Sequence, residues 1–230
     1  MTCPEIVEFL RRKANPNNVL GMARYGINPA GTLGISMPVL RSLARQLGKD
    51  HQLALELWQT RIHEARILAC LIDRPAEVTR TQMNRWASNF DSWDVCDQCC
   101  GNLFDKTPWA REKALQWSVS LRLFVKRAGF VLMAQLAVHD KQSPDSHFRE
   151  FFSRIEAQAG DERNFVRKAV NWALRQIGKR NLALNRAAIE VAGRLRRQGT
   201  SSARWIGADA LRELENPHLQ ERLRREGSIP

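Results

Sequence analysis

Apolar residues recur at spacings of three and four along almost the whole chain. This period places them on one face of an α-helix, and no alternating apolar and polar run is long enough to predict a strand. Pro38 stands near the start of one helical run and Gly48 directly after it, while Thr107-Pro108 opens another helix. The pattern predicts an all-α protein with about a dozen helices in pairs.

Two short segments recur later in the chain. Residues 124–128 (Phe-Val-Lys-Arg-Ala) resemble residues 165–169 (Phe-Val-Arg-Lys-Ala), and residues 173–177 resemble residues 210–214. Both intervals are about 40 residues, which is typical of HEAT-like helix pairs stacked into a curved α-solenoid. Chance similarity between amphipathic helices is the alternative. We therefore predict a single HEAT-like repeat domain over residues 1–230.

The charge balance points to a polyanionic partner. Lys and Arg number 36 against 24 Asp and Glu, which gives a net charge of +12. Between Arg163 and Arg197 ten basic residues accompany a single acid, Glu190. The alternative is a solvated basic helix face, but the asymmetry favours phosphate binding. On the predicted solenoid this charge would line a concave basic groove.

Other classes of protein are poorly supported. No run approaches 18 apolar residues and the N-terminus carries acids, so we expect neither a signal peptide nor a membrane span, and we expect a cytoplasmic protein. Cys96-x-x-Cys99 is consistent with a metal or redox site or with packing; packing is favoured because no second CxxC or nearby His completes a metal site. Neither a cofactor nor a metal is predicted.

One predicted helix runs from Trp93 to Phe104, with Ser92 as its N-cap. Trp93 and Asp97 are separated by four residues and share one face. A carboxylate beside an indole is either a functional pair or a tryptophan used for packing. The inward stripe is expected to consist of Cys96, Cys99, Cys100 and Leu103. Asp94 lies in the first turn, where the helix dipole favours an anion, and needs no catalytic role.

A second helix carries a tryptophan among cations. Lys168, Trp172, Arg175 and Lys179 fall at helical spacing on one face, and the opposite face is apolar. This face either binds a sugar-phosphate backbone or packs Trp172 against a neighbouring repeat, with the cations in solvent. We interpret the other tryptophans as packing residues: Trp58, Trp86, Trp109, Trp117 and Trp205.

At these residues the chain resembles the AlkD-type family of DNA alkylation repair glycosylases, bacterial HEAT-like repeat enzymes. The resemblance rests on four ordered blocks: Met22-Ala23-Arg24-Tyr25 with Leu33-Gly34-Ile35 and Pro38, Ser92-Trp93-Asp94 with Asp97, Arg127-Ala128, and Lys168-Ala169 with Trp172, Leu174 and Arg175. It implies that Trp93 and Trp172 flank the damaged nucleotide and that Asp97 lies beside its deoxyribose. It also implies backbone contacts by Arg127, Arg175 and Lys179. Lys168 and Arg41 are further expected DNA contacts.

The implied activity is excision of cationic N7- or N3-alkylated purines from double-stranded DNA by a monomer, in the bacterial cytoplasm at the nucleoid. Such a base leaves as a neutral molecule and needs no general acid. The sugar becomes cationic, and a carboxylate, ordinarily ionised at neutral pH, can stabilise it and orient water. No lysine lies between Trp93 and Asp97, so no Schiff-base lyase is expected. The alternatives are a non-catalytic HEAT-like nucleic-acid-binding protein and a protein-binding solenoid.

Overall fold

The computed structural model describes residues 1–226, and this part contains α-helices and no strand. Two compact units are formed, Met1–Pro108 (the N-terminal unit) and Trp109–Pro230 (the C-terminal unit). The N-terminal unit contains α1 (Cys3–Arg12), α2 (Pro16–Arg24), α3 (Met37–Leu47), α4 (His51–Gln59), α5 (His63–Ile72), α6 (Arg80–Ser88) and α7 (Trp93–Asn102). The C-terminal unit contains α8 (Ala110–Trp117), α9 (Leu123–His139), α10 (Asp145–Gln158), α11 (Asn164–Gly178), α12 (Leu182–Arg196), α13 (Ser201–Leu214) and α14 (Pro217–Glu226). The all-α prediction is confirmed.

In the N-terminal unit alternate helices form a row, because α5 packs against both α3 and α7. Helix α4 pairs with α5, and α1 covers this pair. The central position of α5 explains its composition, since every residue from His63 to Ile72 except Leu71 is buried. Helix α7, which carries Trp93 and Asp97, therefore packs against a helix that is buried along almost its whole length.

The C-terminal unit repeats this arrangement. Helices α9, α11 and α13 form one row, and α8, α10 and α12 pack against them as the first helices of three pairs. The recurring segments begin α9 and α11, and the rings of Phe124 and Phe165 lie 5.7 Å apart. Gly129 permits close packing of α9, since a Cβ there would lie 2.4 Å from the backbone nitrogen of Ser118. The short sequence repeats thus mark equivalent helices, and the HEAT-like fold is confirmed.

Several helix boundaries follow the sequence signals and two do not. Pro38 lies in the first turn of α3, and Gly48 caps its end with φ of 72°, a value that favours glycine. Helix α7 ends at Asn102, and a separate 3-10 turn, Phe104–Lys106, follows it. Thr107-Pro108 precedes α8 by a further residue, because Trp109 occupies the N-cap position. Both differences are small shifts of a predicted helix end.

Asp161 anchors the turn between α10 and α11. Its carboxylate accepts hydrogen bonds from Arg163 (Nη2 to Oδ2, 2.6 Å) and from Lys126 of α9 (Nζ to Oδ2, 3.1 Å). Lys126 is only 6% exposed, so its ammonium group depends on this partner and on Gln158. The hydrogen bonds from Arg163 and Lys126 outweigh burial and lower the pKa of Asp161 to about 2.

We expect Asp161→Asn to reduce the free energy of unfolding by about 2 kcal/mol at pH 7. The folded-state pKa is below the usual 3.8, so the stabilisation is present above about pH 4 and disappears as the pH falls towards 2. Urea unfolding of both proteins across this pH range tests it, with Glu162→Gln as the exposed control. A difference that persists unchanged at pH 2 would argue against the ionic contribution.

No helix within residues 1–226 is long and apolar enough to cross a membrane. The interpretation of residues 1–230 as a single domain stays a prediction, and its last four residues lie outside the described part. The curvature of the array and its concave groove also stay predictions.

Candidate active site

Trp93 and Asp97 lie on one face of α7, as their spacing predicts. Both side chains are partly exposed, whereas Cys96, Cys99 and Cys100 on the opposite face are completely buried. Leu103, directly after the helix, is completely buried as well. The inward stripe is confirmed, and the exposed face of α7 presents an indole and a carboxylate one turn apart.

Ser92 occupies the N-cap position of α7 but does not cap it with its side chain. Its hydroxyl oxygen instead accepts a hydrogen bond from the backbone nitrogen of Asn28 at 2.9 Å. The neighbouring Asp91 accepts a hydrogen bond from the side-chain amide of Asn28. The expected capping role is therefore wrong, because the hydroxyl ties the start of α7 to the loop that follows α2.

A cavity of about 550 Å³ opens beside Trp93 in the N-terminal unit. The indole nitrogen of Trp93 donates a hydrogen bond to the backbone oxygen of Tyr25 at 3.0 Å, which fixes the orientation of the ring. The side chain of Tyr25 is 75% exposed at the same cavity. The lining residues are Asn17, Asn18, Gly21, Met22, Tyr25, Ile27, Gly34, Ile35, Ser36 and Trp93. Sequence reasoning assigned no role to Tyr25, although it belongs to the block Met22–Tyr25.

The wall of this cavity is held by a completely buried carboxylate. Glu64 of α5 accepts backbone hydrogen bonds from Leu33 (2.9 Å), Gly34 (2.7 Å) and Ile35 (3.2 Å). Gly34 has φ of +78°, and a Cβ there would lie 2.3 Å from the backbone oxygen of Asn15. A side chain at position 34 is thus excluded by conformation and by space. Glu64 is the second structural element of the site that sequence reasoning missed.

Asp94 and the buried cysteines of α7 have contacts that explain their positions. The carboxylate of Asp94 forms a hydrogen bond with the buried His63, whose Nε2 lies 2.8 Å from its Oδ2. Burial raises the pKa of Cys99, assisted by a hydrogen bond with Cys70, and burial also raises that of Cys100. Such thiols stay protonated and unreactive. No disulfide forms, and residues 1–226 contain no group suited to a metal ion.

In the C-terminal unit, α11 presents Trp172 partly exposed, and its opposite face is buried as predicted. With the side-chain amide of Gln176 oriented so that its oxygen faces both donors, that oxygen accepts hydrogen bonds from Nε1 of Trp172 (3.0 Å) and from Nζ of Lys179 (3.2 Å). The second indole is therefore also oriented through its ring nitrogen. Lys179 itself lies one residue beyond the end of α11, at the C-cap.

Arg175 and Lys179 share an acidic partner on α13. The carboxylate of Glu213 accepts a hydrogen bond from Lys179 at 2.6 Å and another from Arg175, and Asp209 lies 3.7 Å from the Arg175 guanidinium. Burial opposes ionisation of Glu213, but the hydrogen bond from Lys179 and the charge of Arg175 prevail and lower its pKa. Two predicted phosphate-binding cations are thus engaged with acids of α13 in this structure.

Other cations of the basic window, the stretch from Arg163 to Arg197, also have partners within the chain. Arg163 pairs with Asp161, Arg194 pairs with Glu156, and Arg180 donates to backbone oxygens that include that of Asp140. The expectation that residues 163–197 bind phosphate stays a prediction, and several cations of this stretch already have partners within the chain. The acids that neutralise it come from outside the window. Within residues 1–226, six cations of the window form no ion pair with a carboxylate: Arg167, Lys168, Arg180, Arg186, Arg196 and Arg197.

The remaining predicted DNA contacts differ in exposure. Arg127 is only 6% exposed, and its Nη1 donates to the backbone oxygen of Phe165 at 2.7 Å. Lys168 on α11 is exposed. Arg41 on α3 is exposed as well and lines a shallow cavity of about 400 Å³ together with Arg45 and Lys49. Of the predicted set, Lys168 and Arg41 are thus the most accessible to a phosphate.

Four of the five tryptophans interpreted as packing residues have low or partial exposure. Trp58, Trp86 and Trp117 are at most 6% exposed, and the rings of Trp58 and Trp86 stack at 4.0 Å; Trp109 is partly exposed. Trp205 is the exception at 37%, with the guanidinium of Arg167 4.9 Å from its ring centre. Trp205 is thus less buried than the other four, but its contact with Arg167 of α11 is consistent with packing between helices.

Comparison with known proteins places the chain in a family. Its sequence matches the model of the DNA alkylation repair enzyme family over residues 6–214. No curated protein matches the sequence. A solved structure described as "A new family of proteins related to the HEAT-like repeat DNA glycosylases with affinity for branched DNA structures" is similar, with a TM-score of 0.77 and 16% identity over 93% of this chain and 96% of that chain. That likeness establishes the fold, and the sequence match establishes that the chain belongs to the DNA alkylation repair enzyme family.

Proposed function

We propose that the protein is a monofunctional DNA glycosylase that hydrolyses the N-glycosidic bond of cationic N7- or N3-alkylated purines in duplex DNA. One observation carries the proposal: Trp93 and Asp97 share the exposed face of α7, and Trp93 borders the 550 Å³ cavity with its ring fixed by Tyr25. Membership of the DNA alkylation repair enzyme family supports alkylated DNA as the substrate. Asp97 and the two oriented indoles supply the chemistry.

The bond that breaks joins C1′ of the sugar to N9 of the base. Its electron pair moves onto the base and neutralises the alkylated ring, so no proton donor is required. Positive charge develops on the sugar, where the Asp97 carboxylate stabilises it and orients a water molecule. The water oxygen bonds to C1′ and its proton passes to solvent, which leaves free base and an abasic site.

The indoles and cations have supporting roles in this proposal. Trp93 and Trp172 contact the cationic nucleotide through their ring faces, because their ring nitrogens are already engaged. Arg127, Arg175 and Lys179 contact the phosphate backbone, as the resemblance implies. Lys168 and Arg41 are further contacts in this proposal. A monomer acting on double-stranded DNA with alkylated purines is sufficient for this reaction.

A comparison of cationic and neutral damaged bases as substrates tests the proposal. We expect release of 7-methylguanine and 3-methyladenine from methylated duplex DNA, and no release of hypoxanthine, a neutral base that needs a proton donor. Borohydride should trap no covalent adduct, because no lysine lies between Trp93 and Asp97. Equal release of hypoxanthine would contradict the mechanism, and a trapped adduct would contradict monofunctional hydrolysis.

A non-catalytic DNA binder is the second candidate, since the similar solved structure is described as having affinity for branched DNA structures. It predicts binding with steep salt dependence and no base release. A four-way junction bound more tightly than a methylated duplex, with no release from either, would favour this candidate.

Glu213 offers a separate test of the DNA surface. Because it occupies Arg175 and Lys179, we expect Glu213→Gln to tighten binding to an undamaged duplex by about threefold to tenfold at low salt. The slope of log K against log salt should become steeper. Fluorescence anisotropy with Glu215→Gln as the control for net charge measures this. Weaker binding would instead mean that Glu213 holds the two cations in their binding positions.

A further inference from the structure

A second cavity of the N-terminal unit, about 590 Å³ in volume, lies where the ends of α4 and α6 meet α5. It does not include Trp93 or Asp97. Its lining carries three arginines and a single acid, so it is electropositive. The lining residues are Trp58, Gln59, Arg61, Arg66, Arg85, Asn89 and Asp91.

Arg66 is the buried cation of this cavity, with 4% of its surface exposed. Its Nη1 donates to the backbone oxygen of Asn89 at 3.0 Å and its Nη2 to Asp91 at 2.6 Å. Its Nε is buried and has no hydrogen-bond acceptor within residues 1–226. A guanidinium has five N–H donors, and a buried donor without an acceptor costs about 1–3 kcal/mol. Arg66 thus has hydrogen-bonding capacity that residues 1–226 do not satisfy.

Arg61 and Arg85 add two exposed cations that form no ion pair with any residue in the described chain. Arg61 has φ of 58°, a left-handed conformation that residues other than glycine rarely adopt. The turn is held by Thr60, whose hydroxyl donates to the backbone oxygen of Leu57 (2.7 Å) and accepts from the nitrogen of Ile62 (3.2 Å). A strained residue held firmly at the edge of a basic cavity is typical of a binding position.

The cavity is suited to an anion and unsuited to a stacked base. The ring of Trp58 already stacks on Trp86 at 4.0 Å and has the Arg66 guanidinium 5.7 Å from its centre. Arginine forks match the oxygens of a phosphate group, which accepts several hydrogen bonds at once. Asp91 offsets one of the three positive charges, which leaves the lining with an excess of two cations.

We propose that this cavity binds a phosphate group of a nucleic-acid strand, outside the excision site. Arg66 provides the buried donors, and Arg61 and Arg85 close on the phosphate from the rim. The phosphate is either a backbone phosphodiester or a strand-terminal phosphate, because both offer the same oxygens. The inference depends on DNA binding by the family and not on base excision.

The test uses nitrogen-15 NMR of the whole chain, with the indole N–H signal of Trp58 assigned by Trp58→Phe. Sodium phosphate should shift this signal, and sodium chloride at the same ionic strength should not. An undamaged duplex with 5′-hydroxyl ends should shift it too; a larger shift with 5′-phosphate ends would identify a strand terminus. Arg61→Asn combined with Arg85→Gln should abolish the shifts and weaken duplex binding about tenfold, with a salt slope lower by about one to two. Asparagine suits the left-handed conformation at position 61.

Arg11→Gln combined with Arg12→Gln, which removes two exposed charges on α1 outside the cavity, is the matched control. Equal weakening by this control would overturn the proposal, because it would reflect net charge alone. No shift with phosphate or duplex would overturn it entirely, and a shift with free phosphate but not with either duplex would overturn the assignment to nucleic acid. The duplexes carry no lesion, so these outcomes are independent of whether the protein excises bases.

Discussion

Replacing Asp97 by asparagine is expected to slow the release of 7-methylguanine by at least about 100-fold. The amide is nearly the same size as the carboxylate, but it cannot stabilise a cationic sugar by charge. Binding to the methylated duplex should be unchanged or tighter, since a negative charge is removed from a DNA surface. Single-turnover release and fluorescence anisotropy on the same variant separate the two effects.

Glu56→Gln is the matched control, because Glu56 is an exposed acid on α4 of the same unit. It should release base at the rate of the unaltered protein. If Asp97→Asn retained more than a tenth of that rate while folded, Asp97 would not carry the chemistry that we assign to it.

Replacing Glu64 by glutamine is expected to reduce the free energy of unfolding of the N-terminal unit by about 3 kcal/mol or more. The completely buried carboxylate accepts three backbone hydrogen bonds, and an amide nitrogen in place of either oxygen would face an N–H donor from which it cannot accept. The loop at Leu33–Ile35 borders the cavity beside Trp93, so excision should also decline.

Urea unfolding followed by tryptophan fluorescence measures this loss. Glu56→Gln again serves as the control and should change stability by less than about 0.5 kcal/mol. A loss below about 1 kcal/mol for Glu64→Gln would mean that the loop has other support, and the assignment of Glu64 as its anchor would be wrong.

The spacing of apolar residues predicted the features of the site that depend on a single helix. The spacing of Trp93 and Asp97, and the burial of Cys96, Cys99 and Cys100 behind them, follow from the 3.6-residue repeat alone. The recurrence of residues 124–128 at 165–169 identified equivalent helices, because successive repeats bury the same positions.

Hydrophobic periodicity could not predict contacts between segments that are far apart in the sequence. Charge counting over residues 163–197 missed Glu213 and Glu156, since ion pairs form between neighbours in space and not in sequence. Ser92 has the sequence features of an N-cap, but its hydroxyl is committed to Asn28 of a different loop. Glu64 likewise has the position of an ordinary first-turn acid, and only the fold shows that it binds the backbone of Leu33–Ile35.

The most direct test of the central claim is single-turnover incubation of the unaltered protein with a duplex that contains one 7-methylguanine. Released base and alkali-labile abasic sites are counted together with bound duplex in the same samples. We predict release of the base in proportion to bound duplex, with one abasic site for each base released. Saturated binding with no release above the rate in buffer would contradict the account and identify a DNA-binding protein without glycosylase activity.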